Sequence, residues 1–265
     1  MHIRNRILMS VFCVVVLGLS GLPWVSATDT PTAGTPTAGS NDCEEAYAGF
    51  ISGGPGSACV NIILGSADAP PLDVSVDGTQ ILTNRPYADD VVTKLFVVSS
   101  GKVRIQAVPT GESLDKALLD KRVSIAPGGV YDIVLYDAAA EMKVRAFRVD
   151  VSVLAANTSR ARVINTSKAA GTIDAYLSQN GATPDPNLAT GPIKYGRYSA
   201  YLEITWQPGQ SSLSVFEAAS GSEPDPQTGH GAYGGPGQAV SFILVGVSNG
   251  IPTWVTTSWK TIPAT

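Results

Sequence analysis

The sequence predicts an all-β protein made of two tandem antiparallel β-sandwich domains. Apolar and polar residues alternate with a period of two along many short segments, which is typical of half-buried strands. The 265 residues include 27 Gly and 18 Pro, a composition that favours frequent turns over long helices. An internal repeat of about 100 residues indicates that one domain has been duplicated. With 44% hydrophobic residues the chain can bury a core, which excludes a mainly disordered protein.

Residues 1–27 predict a secretory signal peptide. Arg4 and Arg6 form a basic start, an apolar run extends to Leu22, and small residues ending at Ala27 form a cleavage site. An uncleaved anchor is the alternative, because the apolar run is close to the length that spans a bilayer. Residues 28–42 contain the pentapeptide TPTAG twice in succession and predict a flexible linker. We therefore expect a secreted or extracytoplasmic protein, at the cell surface or in the periplasm.

Two cysteines, Cys43 and Cys59, remain once the signal segment is removed. In an oxidising compartment such an even pair predicts a disulfide. The bridge would contribute about 3 kcal/mol to stability by restricting the unfolded chain. Zinc needs more ligands than two thiolates, and the remaining histidine, His230, lies in a glycine-rich stretch. We expect no metal site and no cofactor.

Residues 43–156 are predicted to form the first sandwich. Leu72, Val74 and Val76 alternate with polar residues, and the dipeptide Asp77-Gly78 then supplies a tight turn. Residues 114–119 could make one helical turn, although the neighbouring residues fit a strand better. Three more strands are predicted from the apolar positions Val103, Ile105 and Ala107, then Val123 and Ile125, then Tyr131, Ile133 and Leu135.

Residues 157–265 are predicted to form the second sandwich, because they align with the first half at three similar offsets. The boundary is expected in the polar stretch 156–159, before a strand that starts at Arg160. The small drift between offsets indicates short insertions in loops. The matched positions are Ser66 with Ser167 and Asp73 with Asp174 at an offset of 101, Tyr87 with Tyr195 and Ile105 with Leu213 at 108, and Pro127-Gly128 with Pro236-Gly237 at 109.

Three segments of the first half carry the motifs of a known family. They are ILGSADAPPLDVSVDGT from Ile63, LTNRPY from Leu82 and APGG from Ala126. These segments closely resemble the bacterial secreted domain of unknown function 4397, over residues 60–137. The resemblance implies an Ig-like or transthyretin-like sandwich, often in tandem, and it implies no activity. The second copy is divergent, because KAAG from Lys168 stands where the first copy has DAPP from Asp68.

Charge and composition narrow the range of partners. The net charge is −4 and no basic cluster exceeds the pair Lys121-Arg122, so the sequence lacks the basic surface that nucleic acids require. A membrane is expected to be contacted only through the signal segment. The partners we expect are a cell-envelope polysaccharide or another extracytoplasmic protein.

Two loops of the first half hold the candidate ligand-binding residues Asp68, Tyr87, Asp89 and Asp90. Together they could hydrogen-bond a sugar or hold a cation, although Asp68 before Ala-Pro also fits a residue that hydrogen-bonds its own turn. Calcium would need oxygen ligands from Asp89 and Asp90 with Asp137 or Glu141, and no loop has EF-hand spacing. Aromatic residues of the second half could stack on a sugar or belong to the core: Tyr195, Tyr198, Tyr201, Trp206, Trp254 and Trp259.

No catalytic set is evident, because a serine triad would depend on His230 and no serine has a G-x-S-x-G context. We therefore expect a non-catalytic secreted or cell-surface binding or adhesion module of unknown ligand. The alternative is an extracytoplasmic accessory protein in polysaccharide acetylation or export. RVINTS from Arg162 opens a small sandwich in a plan that resembles the periplasmic accessory protein F of alginate acetylation. A hydrolase would need acidic groups that converge in a cleft.

Overall fold

The computed structural model describes residues 56–88, 95–179, 183–207, 210, 212–219, 221–224, 229–233, 235–248 and 251–261. The predicted signal peptide and linker, with Cys43, Asp89 and Asp90, lie outside these residues. Strands dominate the described chain, and single 3₁₀ turns occur at Leu114–Lys116, Ala139–Glu141 and Pro186–Leu188. The strands are β1 (Ser57–Gly65), β2 (Leu72–Val76), β3 (Thr79–Arg85), β4 (Phe96–Ser99), β5 (Gly101–Pro109), β6 (Leu119–Ile125), β7 (Val130–Tyr136), β8 (Lys143–Val149), β9 (Thr158–Asn165), β10 (Ile173–Gln179), β11 (Ala189–Ile193), β12 (Arg197–Tyr198), β13 (Leu202–Thr205), β14 (Ser212–Ala219), β15 (His230–Tyr233), β16 (Gln238–Ser248) and β17 (Ile251–Lys260).

The strands form four sheets. Sheet I has the order β4-β1-β7-β8, and sheet II has the order β3-β2-β5-β6. Sheet III has the order β12-β9-β16-β17, with β13 also paired to β9, and sheet IV has the order β11-β10-β14-β15. Sheets I and II form the first sandwich, and sheets III and IV form the second.

The two sandwiches have the same strand order, as the sequence repeat predicts. In each, the first strand pairs in parallel with the penultimate strand, β1 with β7 and β9 with β16. These parallel pairs depart from the purely antiparallel sheets that we expected. In immunoglobulin constant domains the first two strands share a sheet, whereas here they lie in different sheets. The order therefore fits the transthyretin-like member of the two expected sandwich types.

Each sandwich encloses its own apolar core between its two sheets. Alternate residues of facing strands supply these side chains, in agreement with the predicted period of two. Fully buried members of the first core are Val60, Val74, Ile105 and Ile133, and those of the second are Val163, Leu177, Val215 and Phe242.

A third apolar layer joins the two sandwiches, and we call it the central layer. It packs sheet I against sheet III, so the four sheets stack in the order II, I, III and IV. At one end of the layer the side chains are Ile63, Val134, Tyr136 and Phe147 from sheet I and Ile164, Ile243, Val245 and Val255 from sheet III. At the other end they are Val130 and Val149 from sheet I and Ala239 and Trp259 from sheet III.

The central layer explains why β7 lacks the alternation of buried and exposed residues that its sequence predicts. In β7 and β9 every residue is buried, whereas β2 in the outer sheet II alternates as predicted. The alternation expected in β7 fails because its second face is covered by sheet III. Leu114–Lys116 is a single 3₁₀ turn and the residues from Leu119 form β6, both of which the sequence allowed. Strand β9 begins at Thr158, whereas the strand was expected from Arg160.

Candidate functional site

A buried ion pair crosses the central layer. Asp132 of β7 and Arg162 of β9 have 0% and 1% of their side chains exposed, and Arg162 Nη2 lies 3.4 Å from Asp132 Oδ2. Trp259 Nε1 donates to Asp132 Oδ1 at 3.0 Å, and Thr257 Oγ1 donates to Oδ2 at 3.1 Å. The carboxylate of the first sandwich is therefore held by three donors of the second.

The Arg162 guanidinium also contacts neutral acceptors from both sandwiches. Its Nε donates to Ser241 Oγ at 3.0 Å, and its Nη1 donates to the Arg148 carbonyl oxygen at 2.7 Å. The rings of Tyr198 and Tyr201 lie 5.6 Å and 5.1 Å from its central carbon. Such a satisfied buried pair favours this packing of the two sandwiches, because a shift within the closed layer would leave a charge buried without its partners.

Residues 195–201 of the second sandwich lie along β8, the edge strand of sheet I. Tyr195 donates a hydrogen bond to Asp137, and its ring contacts Tyr136 edge-on with centroids 6.1 Å apart. Lys143 Nζ lies 2.7 Å from Asp137 Oδ2 and 3.1 Å from the Tyr195 hydroxyl. Burial, followed by the hydrogen bond to Asp137, raises the pKa of Tyr195. The phenol therefore stays protonated and links the two sandwiches.

The Asp68 carboxylate connects two loops of the first sandwich by hydrogen bonds. Its Oδ1 accepts a hydrogen bond from the Ala139 backbone N–H at 2.8 Å and one from Ser66 Oγ at 3.3 Å. Asp68 thereby joins the loop after β1 to the turn between β7 and β8. This geometry fits the alternative of a turn-stabilising carboxylate, while the carboxylate itself remains exposed to solvent.

Tyr87 lies at the same end of the first sandwich and points into the central layer. The Ala88 backbone N–H donates to the Leu64 carbonyl oxygen at 2.9 Å, which places this segment against the end of β1. A Cβ atom on Gly246 would lie only 2.6 Å from the Tyr87 hydroxyl, so this glycine lets the two sandwiches approach. Tyr87 and its predicted counterpart Tyr195 both pack, partly buried, against the central layer.

The remaining candidate binding residues lie in the core, at the surface or outside the described residues. Trp206, Trp254 and Trp259 are at most 5% exposed and belong to the core rather than to a sugar-stacking surface, whereas Tyr198 is 51% exposed. Asp89, Asp90 and Cys43 fall outside the described residues, so their ligand and disulfide roles stay predictions. Among the described residues no group of three or more His, Cys, Asp or Glu side chains is placed to hold a metal ion.

Glu217 was not predicted as a residue of interest from the sequence. Glu217 follows Leu213 and Val215 at every second position of β14 and therefore shares their inner face. Burial raises the pKa of Glu217 to about 7. On the neighbouring strand β15, His230 is paired with Val215, and its ring stacks on Trp254 with centroids 6.5 Å apart. A signal was available, since Glu217 stands where the alternation calls for an apolar residue.

Comparison with known proteins gives a family match for part of the chain. The model of a family described as a domain of unknown function, DUF4397, matches residues 58–176. The match spans the first sandwich, β9 and part of β10, and it supports the predicted resemblance for the first half. A second copy of the family domain is not shown. No curated protein matches the chain.

Two solved structures show a distant likeness to the chain. One is a family 41 carbohydrate-binding module from streptococcal virulence factors, described for α-glucan recognition, at 12% identity and a TM-score of 0.27 over 75% of this chain and 97% of that one. Another is a putative cell adhesion protein from Bacteroides uniformis, at 9% identity and a TM-score of 0.23 over 78% and 99%. These scores are too low to assign a ligand. No helix in the described part of the chain is long and apolar enough to cross a membrane.

Proposed function

We propose that this protein is a non-catalytic, secreted or cell-surface binding or adhesion module whose partner is a cell-envelope polysaccharide. The observation that carries the proposal is that both sandwiches present loops at one end of a single locked stack. A Cβ atom added to Gly65 at the end of β1 would lie only 3.1 Å from the side chain of Val245 near the end of β16, so the two strands approach closely here. Tyr136 at the end of β7 contacts Tyr195, which follows β11.

Loops fixed on a rigid scaffold are the usual place for binding residues in sandwich proteins. Here the loop after β1 is tied to the β7–β8 turn by Asp68, and Asp137 of that turn accepts a hydrogen bond from Tyr195 of the second sandwich. The loops of both halves are therefore held in one arrangement before any ligand binds. Preorganisation of this kind reduces the entropy that binding costs.

We assign ligand contact to Asp89 and Asp90 and a supporting role to Asp68 and Tyr87. Asp68 and Tyr87 are engaged with the protein itself, through the Ala139 N–H and the central layer. In the sequence Asp89 and Asp90 follow Tyr87 after one residue, Ala88. Their carboxylates would accept hydrogen bonds from sugar hydroxyl groups, which are the most abundant donors on a polysaccharide.

The test is a glycan and cell-envelope binding array probed with residues 28–265. We expect saturable binding to at least one envelope polysaccharide. The double variant D89N/D90N should lose that binding while its melting curve stays unchanged. The control E203Q also removes an exposed carboxylate, one that is 70% exposed and only 3.9 Å from Arg160, and should bind normally. Equal binding by D89N/D90N and E203Q would contradict the assignment of the site.

A further inference from the structure

Basic side chains from both sandwiches meet beside the edge strand β8. Lys143 and Arg145 are two residues apart on β8 and therefore point to the same face of sheet I. Lys143 Nζ lies 3.1 Å from the Tyr195 hydroxyl, and Arg145 donates a hydrogen bond to the Gly196 carbonyl oxygen. Both cations of the first sandwich thus lie against the turn 194–197 of the second.

The turn 194–197 adds two further cations. Lys194 and Arg197 stand at its two ends, where the Arg197 backbone N–H donates to the Lys194 carbonyl oxygen at 3.0 Å. Both residues are exposed. Arg145 and Gly196, which are hydrogen-bonded, are 51 residues apart in the sequence. The packing of the two sandwiches therefore assembles a basic cluster that is not visible along the chain.

The positive charge of this cluster is largely uncompensated. Arg145, Lys194 and Arg197 have no ion-pair partner in the part of the chain that the structure describes. Lys143 pairs with Asp137 at 2.7 Å, and the Asp137 side chain is only 6% exposed. The whole protein carries a net charge of −4. A local excess of positive charge on such a protein attracts an anionic ligand to this surface.

An exposed aromatic residue adjoins the cations. Tyr198 is 51% exposed, whereas the neighbouring Phe147 is 1% exposed. The Phe147 ring lies 5.9 Å from the Tyr198 ring and 5.2 Å from the central carbon of the Arg145 guanidinium. Tyr198 and Arg145 therefore border the same buried ring. Tyr198 is one of the aromatic residues that the sequence suggests for stacking on a sugar, and its exposure allows that contact.

We propose that this surface binds a uronic-acid unit of an acidic polysaccharide. We call it the basic surface, formed by Lys143, Arg145, Lys194, Arg197 and Tyr198. The inference rests on the proposed function, because the polysaccharide is the partner proposed there, and it adds the charge of that partner. A uronic acid carries its carboxylate directly on the sugar ring. One unit can therefore offer a carboxylate to a guanidinium and a ring face to a tyrosine at the same time.

Two other ligand classes fit the basic surface less well. A neutral sugar would gain nothing from the uncompensated cations. Proteins that bind single-stranded nucleic acids stack successive bases on several aromatic residues along a basic groove, whereas the basic surface offers the ring of Tyr198. The planar guanidinium groups of Arg145 and Arg197 match the geometry of a carboxylate.

Isothermal titration calorimetry of residues 28–265 would test the basic surface, with polygalacturonate and polymannuronate as separate probes. At least one polymer should bind, and binding should weaken as the salt concentration rises. The same polymer with its carboxylates methyl-esterified should bind at least about tenfold more weakly, because it keeps the sugars but loses the charges. K194Q/R197Q should weaken binding about fivefold or more. K121Q/R122Q is the matched control, since it makes the same two changes at exposed positions of β6 and should bind like the wild type.

The role of the aromatic residue is tested with a second pair of variants. Y198F keeps the ring and should bind like the wild type. Y198A removes the ring and should weaken binding about fivefold or more. Melting curves would confirm that both variants are folded, and K194Q/R197Q remains informative if Y198A fails to fold.

Several results would overturn this inference. One is equal affinity for a uronate polymer and its methyl-esterified form, and another is an equal loss of binding in K121Q/R122Q and K194Q/R197Q. Single-stranded DNA that binds as tightly as the uronate polymers and depends on the same two cations would overturn the choice of a sugar. If neither uronate polymer binds but the array shows a neutral polysaccharide that does, the inference fails and the proposed function stands. If no polysaccharide binds at all, both fail.

Discussion

Replacing Asp132 by alanine should lower the free energy of unfolding by about 3–5 kcal/mol, the usual cost of removing one partner of a buried ion pair. Asp132 is 0% exposed and Arg162 is 1% exposed, so water cannot solvate the guanidinium that the change leaves behind. Ser241 and the Arg148 carbonyl would still accept its hydrogen bonds, but neither carries a charge. The apolar side chains of the central layer would then enclose an uncompensated positive charge.

Urea denaturation of residues 28–265 would measure this loss for D132A, R162M and the double variant. Either single change leaves one buried charge, whereas the double change leaves none, so the double variant should lose clearly less than the sum of the single losses. D120A is the control, because the ion pair of Asp120 with Arg104 lies on the solvent-exposed face of sheet II, with side chains 42% and 46% exposed. It should change stability far less. A D132A loss below about 1 kcal/mol, or strict additivity of the single losses, would show that the buried pair does not stabilise the central layer.

Three further predictions concern local features of the fold. Burial raises the pKa of Glu217 from 4.5 to about 7, so the folded protein binds a proton more readily than the unfolded chain. The free energy of unfolding should therefore rise by on the order of 1–2 kcal/mol as the pH falls from about 8 to about 4.5. In the E217Q variant the urea midpoint should depend less on pH than in the wild type. The same pH dependence in both proteins would contradict this prediction. G229A should cost about 1–3 kcal/mol, seen as a lower melting temperature, because the new Cβ would lie 2.3 Å from the Phe216 ring, which is 2% exposed. Alkylation of the non-reduced mature protein should detect no thiol at Cys43 or Cys59, and two reactive thiols would disprove the predicted bridge.

The strands of the outer sheets could be predicted because their signals are local. In β2, Leu72, Val74 and Val76 are buried as the alternation requires. The following turn has the positive φ angles that its sequence suggests, 48° at Asp77 and 83° at Gly78. The repeat was also informative, since the offsets place equivalent residues in equivalent strands of the two sandwiches.

The central layer could not be predicted, because it depends on how the two sandwiches pack together. Asn61 pairs with Asp132 between β1 and β7, and Arg162 pairs with Ser241 at the same register of β9 and β16. Duplicated positions thus hold different polar residues, and only the packing of sheet I on sheet III brings Asp132 to Arg162. Read along β7 alone, Asp132 has the position of a solvent-facing strand residue.

Only part of the candidate site could be predicted from the sequence. Asp68 could be recognised as a turn residue from the Ala-Pro that follows it, and its bond to the Ala139 N–H fits that interpretation. The position of Tyr87 against Gly246 could not be foreseen, because these residues are far apart in the sequence and belong to different sandwiches. Glu217 could have been noticed as an acidic residue in an apolar strand pattern.

Our main proposal is that the protein binds a polysaccharide without catalysing a reaction on it. Incubating residues 28–265 with purified cell-envelope polysaccharide tests both parts at once. The bound fraction would be measured together with the release of reducing ends and of acetyl groups. We expect saturable retention of the polysaccharide, and no more release of reducing ends or acetyl groups than in a sample without protein. Release of reducing ends or acetyl groups in proportion to protein concentration, or no retention at any concentration, would contradict it.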